Sequence, residues 1–184
     1  MIELYINWVK ANPMVSAAVQ FGILGTCGEY VSTWFKTKKL SLQCSWLQLL
    51  LKMLAWAILG LIIKYGFIGM KGFAAALCTA SLVPSIFYTG VGHALLISVV
   101  TNIFFGPQMM FFHRLEDNII MKTKGYEGME TPLKTLLWFW IPAHTLTFSL
   151  PKVYQIGLAA LWSVVLGVIL GLSIKTEIKA SSES

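Results

Sequence analysis

The chain has 184 residues, of which 57% are hydrophobic and only 12% are charged, and its formal net charge is +6. A soluble domain typically carries about 25% charged residues, so this chain has too few to cover a water-facing surface. The composition argues against a cytosolic enzyme and against a nucleic-acid-binding protein, and it makes the lysines membrane anchors and orientation signals. The sequence therefore predicts an all-α integral membrane protein whose single transmembrane domain occupies residues 1–184.

Four apolar segments are long enough to be membrane spans. A bilayer core about 30 Å thick requires roughly 20 mostly apolar helical residues for each crossing. The segments that meet this requirement are residues 13–35, 46–68, 86–112 and 153–174. Lys52 and Lys64 interrupt the second span near its ends, where their long side chains are expected to extend outward to the membrane surface. The pattern predicts a bundle of four transmembrane helices.

Three shorter segments, residues 2–11, 72–83 and 133–150, are predicted to form interfacial or re-entrant helices. Pro13, Pro84 and Pro142 interrupt the helical pattern beside or within them. Four spans place both chain ends on one side of the membrane. The larger share of Lys and Arg lies in the first and third loops, which favours chain ends on the face opposite the cytoplasm or matrix.

Glycines recur at helical spacing in the first and last spans. Gly22, Gly25 and Gly28 follow one another at three-residue intervals, and Gly167 and Gly171 form a G-x-x-x-G pair. Small residues at such spacing allow two helix backbones to approach closely inside a membrane. Helix packing is the prediction for all five, and a glycine face that lines a pore is the alternative.

Glu29 is the residue with the highest free-energy cost of insertion into a span. An ionised carboxylate within a membrane helix costs about 2.5–3.5 kcal/mol. Three interpretations stay open: Glu29 lines a lumen, pairs with Lys52 or Lys64, or reaches water at the interface. The residues predicted to line or gate a pathway are Glu29, Lys64, Asn102 and Gln108.

Other polar residues give less direct indications. His93, His144 and Gln155 are secondary candidates for the pathway. His113 and Asp117, four residues apart, predict a solvated helix end rather than a metal site. The sequence contains no nucleophile–base pair, phosphate-binding loop or dinucleotide fingerprint, so neither an enzyme nor a cofactor is expected.

The opening of the chain resembles the Mpv-seventeen family, which includes the 22-kilodalton peroxisomal membrane protein. The family signature has Tyr, seven residues, Pro, eight residues and then G-x-L-x-x-x-G-D-x-x-S. This chain has Tyr5, Pro13, Gly22, Leu24, Gly28, Glu29 and Ser32, with Glu29 in place of the family's Asp.

Two later blocks are similar to the same family in the same order. T-N-I-F-F-G-P, ending at Pro107, resembles D-Q-x-x-F-x-P, with Asn102 in place of Gln. The W-P…N-F…P…R…W ending corresponds to Trp140, Pro142, Phe148, Pro151, Gln155 and Trp162, with Gln155 where the family has Arg. The departures from the family's Asp and Arg indicate a distant member, compatible with a prokaryotic one.

The resemblance implies a four-span channel with weak selectivity for small solutes or metabolites. Family members are found in mitochondrial inner or peroxisomal membranes, and a prokaryotic member would lie in the plasma membrane. Because one small bundle has little room for a pore, permeation requires a narrow path through it or a homo-oligomer. The expected partners are the lipid bilayer and small solutes, and no nucleic acid. The alternative function is a non-transporting membrane scaffold or adaptor, for which Glu29 and Asn102 would lie in a dry core.

Overall fold

The computed structural model describes residues 2–38 and 44–182, without the side chains of Lys36 and of residues 170–182, and its regular structure is entirely helical. The α-helices are α1 (Ile2–Ala11), α2 (Pro13–Thr37), α3 (Trp46–Thr79), α4 (Gly90–Val100), α5 (Gly106–Met121), α6 (Glu130–Thr135), α7 (Ile141–Ser149) and α8 (Lys152–Ser182). A short 3-10 turn covers Ser85–Phe87, and π-helical segments cover Thr101–Phe105 and Leu136–Trp140. The all-α class predicted from the sequence is confirmed.

Three helices in the described part of the chain are long and apolar enough to cross a membrane: Trp46–Thr79, Gly90–Met121 and Lys152–Ile169. They show that the chain is a helical protein with membrane-spanning segments. The predicted total of four spans is not confirmed, because α2 is not among the three. Gln20, Thr26 and Glu29 make α2 more polar than the other long helices.

Two predicted boundaries are corrected by the structure. Residues 72–83 were expected to form a separate helix, but α3 continues through them to Thr79 because no proline interrupts it before Pro84. Its 34 residues give α3 a length of about 51 Å. The third span begins at Gly90 rather than residue 86, and it extends past residue 112 to Met121.

The two π-helical segments share one sequence pattern, in which five π residues precede a residue followed by proline. These pairs are Gly106–Pro107 and Ile141–Pro142. A proline has no N–H to donate, so the helix ladder must change at this point. The wider π turn accommodates the change, and the N–H of Gly106 donates to the carbonyl of Thr101.

Residues 133–149, predicted to form an interfacial or re-entrant helix, belong to a helical rod that runs along the bundle. This rod, Glu130–Ser149, consists of α6, the second π segment and α7. It is antiparallel to α4–α5, since Ser98 Oγ donates to the Ile141 carbonyl at 2.7 Å while Gly106 lies against the Leu136 side chain.

The first and last long helices, α2 and α8, are parallel. Ser163 Oγ donates to the Leu24 carbonyl at 3.4 Å, and one turn further along both helices Gly167 meets Gly28. The described residues therefore form five rods of alternating direction: α2, α3, α4–α5, α6–α7 and α8. The start of α2 and the far end of α8 lie at opposite ends of the bundle. This arrangement does not fit the expectation that both chain ends share one side.

The short helix α1 packs against the first half of α2. Tyr5 donates from its hydroxyl to Gln20 Oε1 at 2.8 Å, and Gly157 of α8 leaves the space for this pair. Burial, and then the charge of Tyr154, raise the pKa of Tyr5, so its hydroxyl keeps the proton that it donates. The contact fixes α1 beside α2 and α8.

Candidate functional site

A buried cluster of charged residues joins three helices at one end of the bundle. Lys52 of α3 is only 7% exposed, and its Nζ donates to Glu29 Oε2 of α2 at 2.7 Å and to Asp117 Oδ1 of α5. The indole Nε1 of Trp56 donates to the other Glu29 oxygen at 2.6 Å. The ion pair of Glu29 with Lys52, one of the interpretations left open, is therefore present in the structure. We call Glu29, Lys52 and Asp117 the ion cluster.

The position of Lys52 differs from the prediction that it extends outward. Two carboxylates from neighbouring helices converge on its ammonium group, and this inward pairing offsets the cost of burying the charge. Gly25 makes the arrangement possible, because a Cβ atom there would lie 2.2 Å from the Trp56 ring. The predicted helix-packing glycine thus provides space for the tryptophan that binds Glu29.

His113 and Arg114 complete the polar surroundings of the ion cluster. The His113 ring packs on Trp56 with 4.5 Å between ring centroids, and its Nε2 lies 3.8 Å from Glu29 Oε1. Arg114 donates to the Glu127 carbonyl at 3.4 Å. His113 and Asp117 of α5 are turned towards α2 and α3, and their side chains stay 32% and 35% exposed. Among the described residues no group of His, Cys, Asp and Glu is arranged to hold a metal ion.

A partly open cavity of about 330 Å³ lies beside the ion cluster, between α2, α3, α5, the second π segment and α8. Its polar end is formed by Glu29, His113, Arg114 and Asp117. The remaining wall is mostly apolar and aromatic, with contributions from Phe21, Phe67, Phe105, Met109, Met110, Leu136, Trp140 and His144. Charged groups of both signs thus border an otherwise apolar chamber.

The cavity occupies only part of the length of the bundle. Along α3 its wall extends from Trp56 to Phe67, a distance of about 16 Å for the helix rise between them. Beyond Phe67 the core is packed, and the Phe67 and Phe148 rings meet edge to face at 4.8 Å. Ala74, Ile97 and Ile156 belong to the same buried core. This packed layer closes the cavity at its apolar end.

Asn102 and His144 connect the two helices that contain the π segments. Asn102 is 2% exposed, donates from Nδ2 to the Ser98 carbonyl at 2.8 Å, and has the same nitrogen 3.1 Å from His144 Nδ1. Because Nδ2 carries the protons, the imidazole Nδ1 accepts. His144 lines the cavity, whereas Asn102 does not. Asn102 therefore lies behind His144, outside the cavity wall, and its predicted role in lining or gating a pathway stays a prediction.

Lys64 and Gln108 do not line the cavity. Gln108 is exposed and donates to the Phe104 carbonyl of its own helix at 3.0 Å. On α5 the lining positions include Gly106, Met109 and His113, and position 108 is rotated by about 100° from Met109. Gln108 therefore lies outside this cavity, and its predicted role in lining or gating a pathway stays a prediction.

The remaining secondary candidates have local roles. His93 Nδ1 lies 3.1 Å from the Phe87 carbonyl, and Cys78 Sγ lies 3.6 Å from the same oxygen, so both groups brace the connection between α3 and α4. Gln155 is buried and accepts a hydrogen bond from Lys71. Neither His93 nor Gln155 lines the cavity.

The predicted packing glycines lie at close helix contacts. A Cβ atom on Gly22 would lie 3.3 Å from the Met53 carbonyl oxygen of α3. A Cβ atom on Gly28 would lie 2.7 Å from the Ser163 carbonyl oxygen, and one on Gly167 would lie 2.4 Å from the Gly28 carbonyl oxygen. The surroundings of Gly171 lie outside the described residues.

Sequence reasoning missed Lys52, Trp56, His113 and Asp117 as members of one site. Two spacings contained a signal: Lys52 and Trp56 are four residues apart, as are His113 and Asp117, so each pair shares a helix face. The sequence does not say that these two faces meet Glu29.

No family model matches the chain, no curated protein is detectably similar to it, and no solved structure matches it. The resemblance to the Mpv-seventeen family therefore stays a prediction based on its three sequence blocks.

Proposed function

We propose that this protein is a weakly selective channel for small solutes and that the cavity is the open part of its pathway. The observation that carries the proposal is a chamber of about 330 Å³ with charges of both signs at one end. Ligand chambers in proteins typically have volumes of about 300–1,000 Å³. Since Glu29 and Asp117 face Lys52 and Arg114, no single sign of charge dominates, which suits weak selectivity.

In this proposal the packed layer around Phe67 and Phe148 is the closed gate. Both π segments flank this layer, and the Asn102–His144 contact joins them. π-Helical turns and prolines are points where a helix changes direction or register. Movement at Thr101–Phe105 and Leu136–Trp140 would displace the aromatic side chains and extend the cavity through the bundle.

We further propose that α2 crosses the membrane, which gives the four spans predicted from the sequence. Because α4–α5 and α8 point in the same direction, the chain must return across the bilayer between them. The Glu130–Ser149 rod provides this return, so it is proposed as an additional, fifth crossing. Its 20 residues are about 30 Å long, which matches the thickness of the bilayer core.

This topology predicts that positions 124 and 150 face opposite sides of the membrane. Single cysteines would be introduced as Lys124→Cys or Leu150→Cys after Cys27, Cys44 and Cys78 are replaced by serine. A membrane-impermeant maleimide applied to sealed, oriented vesicles should label one position from outside and the other only after permeabilisation.

Lys10→Cys provides the matched control, since α1 lies at the end of the bundle where α8 begins. Position 10 should label together with position 150. If positions 124 and 150 label from the same side, the Glu130–Ser149 rod does not cross the membrane.

The channel itself predicts solute flux that depends on Glu29. Purified protein in liposomes should release small ions and metabolites faster than empty liposomes do. Glu29→Gln should change the flux of charged solutes several-fold, because it removes one negative charge from the polar end of the cavity. Flux would be measured for both proteins at two pH values.

Glu130→Gln is the control for that substitution, because Glu130 is exposed and pairs with Lys134 at 3.7 Å, away from the cavity. It should leave the flux unchanged. An absence of flux above empty liposomes, from protein shown to be folded, contradicts the channel. Equal effects of both substitutions contradict a pathway beside Glu29.

The alternative function is a non-transporting scaffold or adaptor. It is favoured by the pairing of Glu29 with Lys52 and Trp56, and by the packed layer that closes the cavity. A scaffold requires no movement at the π segments, so the flux measurement separates the two functions.

A further inference from the structure

Lys71 is held between three helices at the end of the bundle opposite the ion cluster. It extends from α3, and its Nζ donates to Gln155 Oε1 of α8. The same nitrogen lies 5.4 Å from the centroid of the Phe148 ring of α7. Both contacts fix the direction of the ammonium group, but neither neutralises its charge.

Two more lysines lie around Lys71. Lys64 precedes it by two helical turns on the same face of α3, and Lys152 precedes Gln155 by about one turn on α8. Lys64 therefore lies about 10 Å along the helix from Lys71, and Lys152 lies on the turn of α8 that Lys71 contacts through Gln155. Lys152 also begins α8, whose N-terminus adds positive partial charge.

Negative charge is missing from this lysine group, which we define as Lys64, Lys71 and Lys152. Within residues 2–38 and 44–169, where side chains other than that of Lys36 are described, no carboxylate lies within ion-pair distance of these three lysines. Three cations gathered at the junction of two membrane helices repel one another unless an anion joins them. The structure therefore contains a site with excess positive charge at a defined position.

The surface beside the lysine group is apolar. Tyr65 is 66% exposed next to Lys64, and Ile68 is 59% exposed one turn before Lys71. Exposed tyrosine beside lysine is typical of the boundary between lipid tails and headgroups. An anion bound here would have apolar protein surface along one side of it. An amphipathic molecule can contact that surface with its apolar part, whereas a free inorganic ion cannot.

We propose that the lysine group binds the phosphate headgroup of an anionic membrane lipid, with the lipid tails along the exposed face of α3. Basic pockets between transmembrane helices have the charge and depth to bind such headgroups. Lys71 provides the fixed contact at the junction of α3 and α8, and Lys64 and Lys152 provide the outer charges. The lipid headgroup would bind α3 and α8 together at the end of the bundle opposite the ion cluster.

The test is lipid retention measured by native mass spectrometry on the full chain released from detergent. Phosphatidylglycerol and phosphatidylcholine with identical tails would be added at equal concentrations. The protein should retain phosphatidylglycerol preferentially. Lys71→Gln and Lys152→Gln should each weaken its apparent affinity by about five-fold, the effect of one lysine near a membrane surface.

Lys134→Gln is the matched control, because it removes a positive charge that pairs with Glu130 outside the lysine group. It should not change retention. Lys71→Arg should retain the lipid, and this variant keeps the test decisive if Lys71→Gln does not fold. Equal retention of the two lipids, or equal effects of Lys71→Gln and Lys134→Gln, overturns the proposal. Displacement of phosphatidylglycerol by millimolar inorganic phosphate would identify a soluble anion instead of a lipid and would also overturn it.

Discussion

Replacing Lys52 by Met is expected to lower the free energy of unfolding by about 3 kcal/mol, the lower part of the range for removing one partner from a buried ion pair. The substitution leaves Glu29 and Asp117 as two negative charges without the ammonium group that binds both. Asp117 is 35% exposed, so water screens part of its charge and keeps the cost below the upper part of that range. Denaturant unfolding in detergent micelles, followed by tryptophan fluorescence, measures the change.

A double variant tests whether this loss comes from unpaired charge rather than from altered packing. Adding Glu29→Gln to Lys52→Met removes one of the two unpaired carboxylates and should restore part of the lost stability. Lys134→Met serves as the exposed control and should cost less than about 0.5 kcal/mol, as exposed helical pairs do. If Lys52→Met and Lys134→Met have equal effects, the ion cluster does not stabilise the bundle.

The sequence was sufficient to predict helices because the apolar runs are long and contain few charges. It was less informative about where they end. Residues 72–83 looked like a separate element because Gly72 begins an uncharged stretch, yet α3 continues to Thr79 and ends in a turn where Ser81 has a φ of 54°. Residues 133–150 contain Pro142, which indicated a break. The π turn before that proline keeps the Glu130–Ser149 rod continuous, and the proline alone does not tell a π turn from a break.

The site was predictable only in part for a related reason. Glu29 was recognisable from one residue, since an acid in an apolar span must find a partner or water. Lys52 was read as extending outward because the sequence does not show that Glu29 and Asp117 converge on it. Gln108 was read as lining because its polarity is visible while its rotation about the helix axis depends on packing. Contacts between residues distant in sequence therefore decided which polar residues belong to the site.

Gly28→Ala is expected to cost about 1–3 kcal/mol of stability, the usual range for overpacking a close contact. The added Cβ would lie 2.7 Å from the Ser163 carbonyl oxygen, which belongs to the backbone of α8 and cannot rotate away. Gly167→Ala should have a similar effect, because its Cβ would lie 2.4 Å from the Gly28 carbonyl oxygen. Unfolding of both variants in detergent micelles measures the cost.

Gly72→Ala is the matched control, since Gly72 is also helical but has no atom within 4 Å of the added Cβ. It should cause no loss of stability, because alanine is the better helix former. Gly28 and Gly167 lie at the same contact between α2 and α8, so one separation of the helices relieves both clashes. The stability loss of the double variant should therefore be smaller than the sum of the two single losses. Full additivity, or equal effects at positions 28 and 72, would show that α2 and α8 do not pack through these glycines. The parallel packing of α2 against α8 would then lose its support.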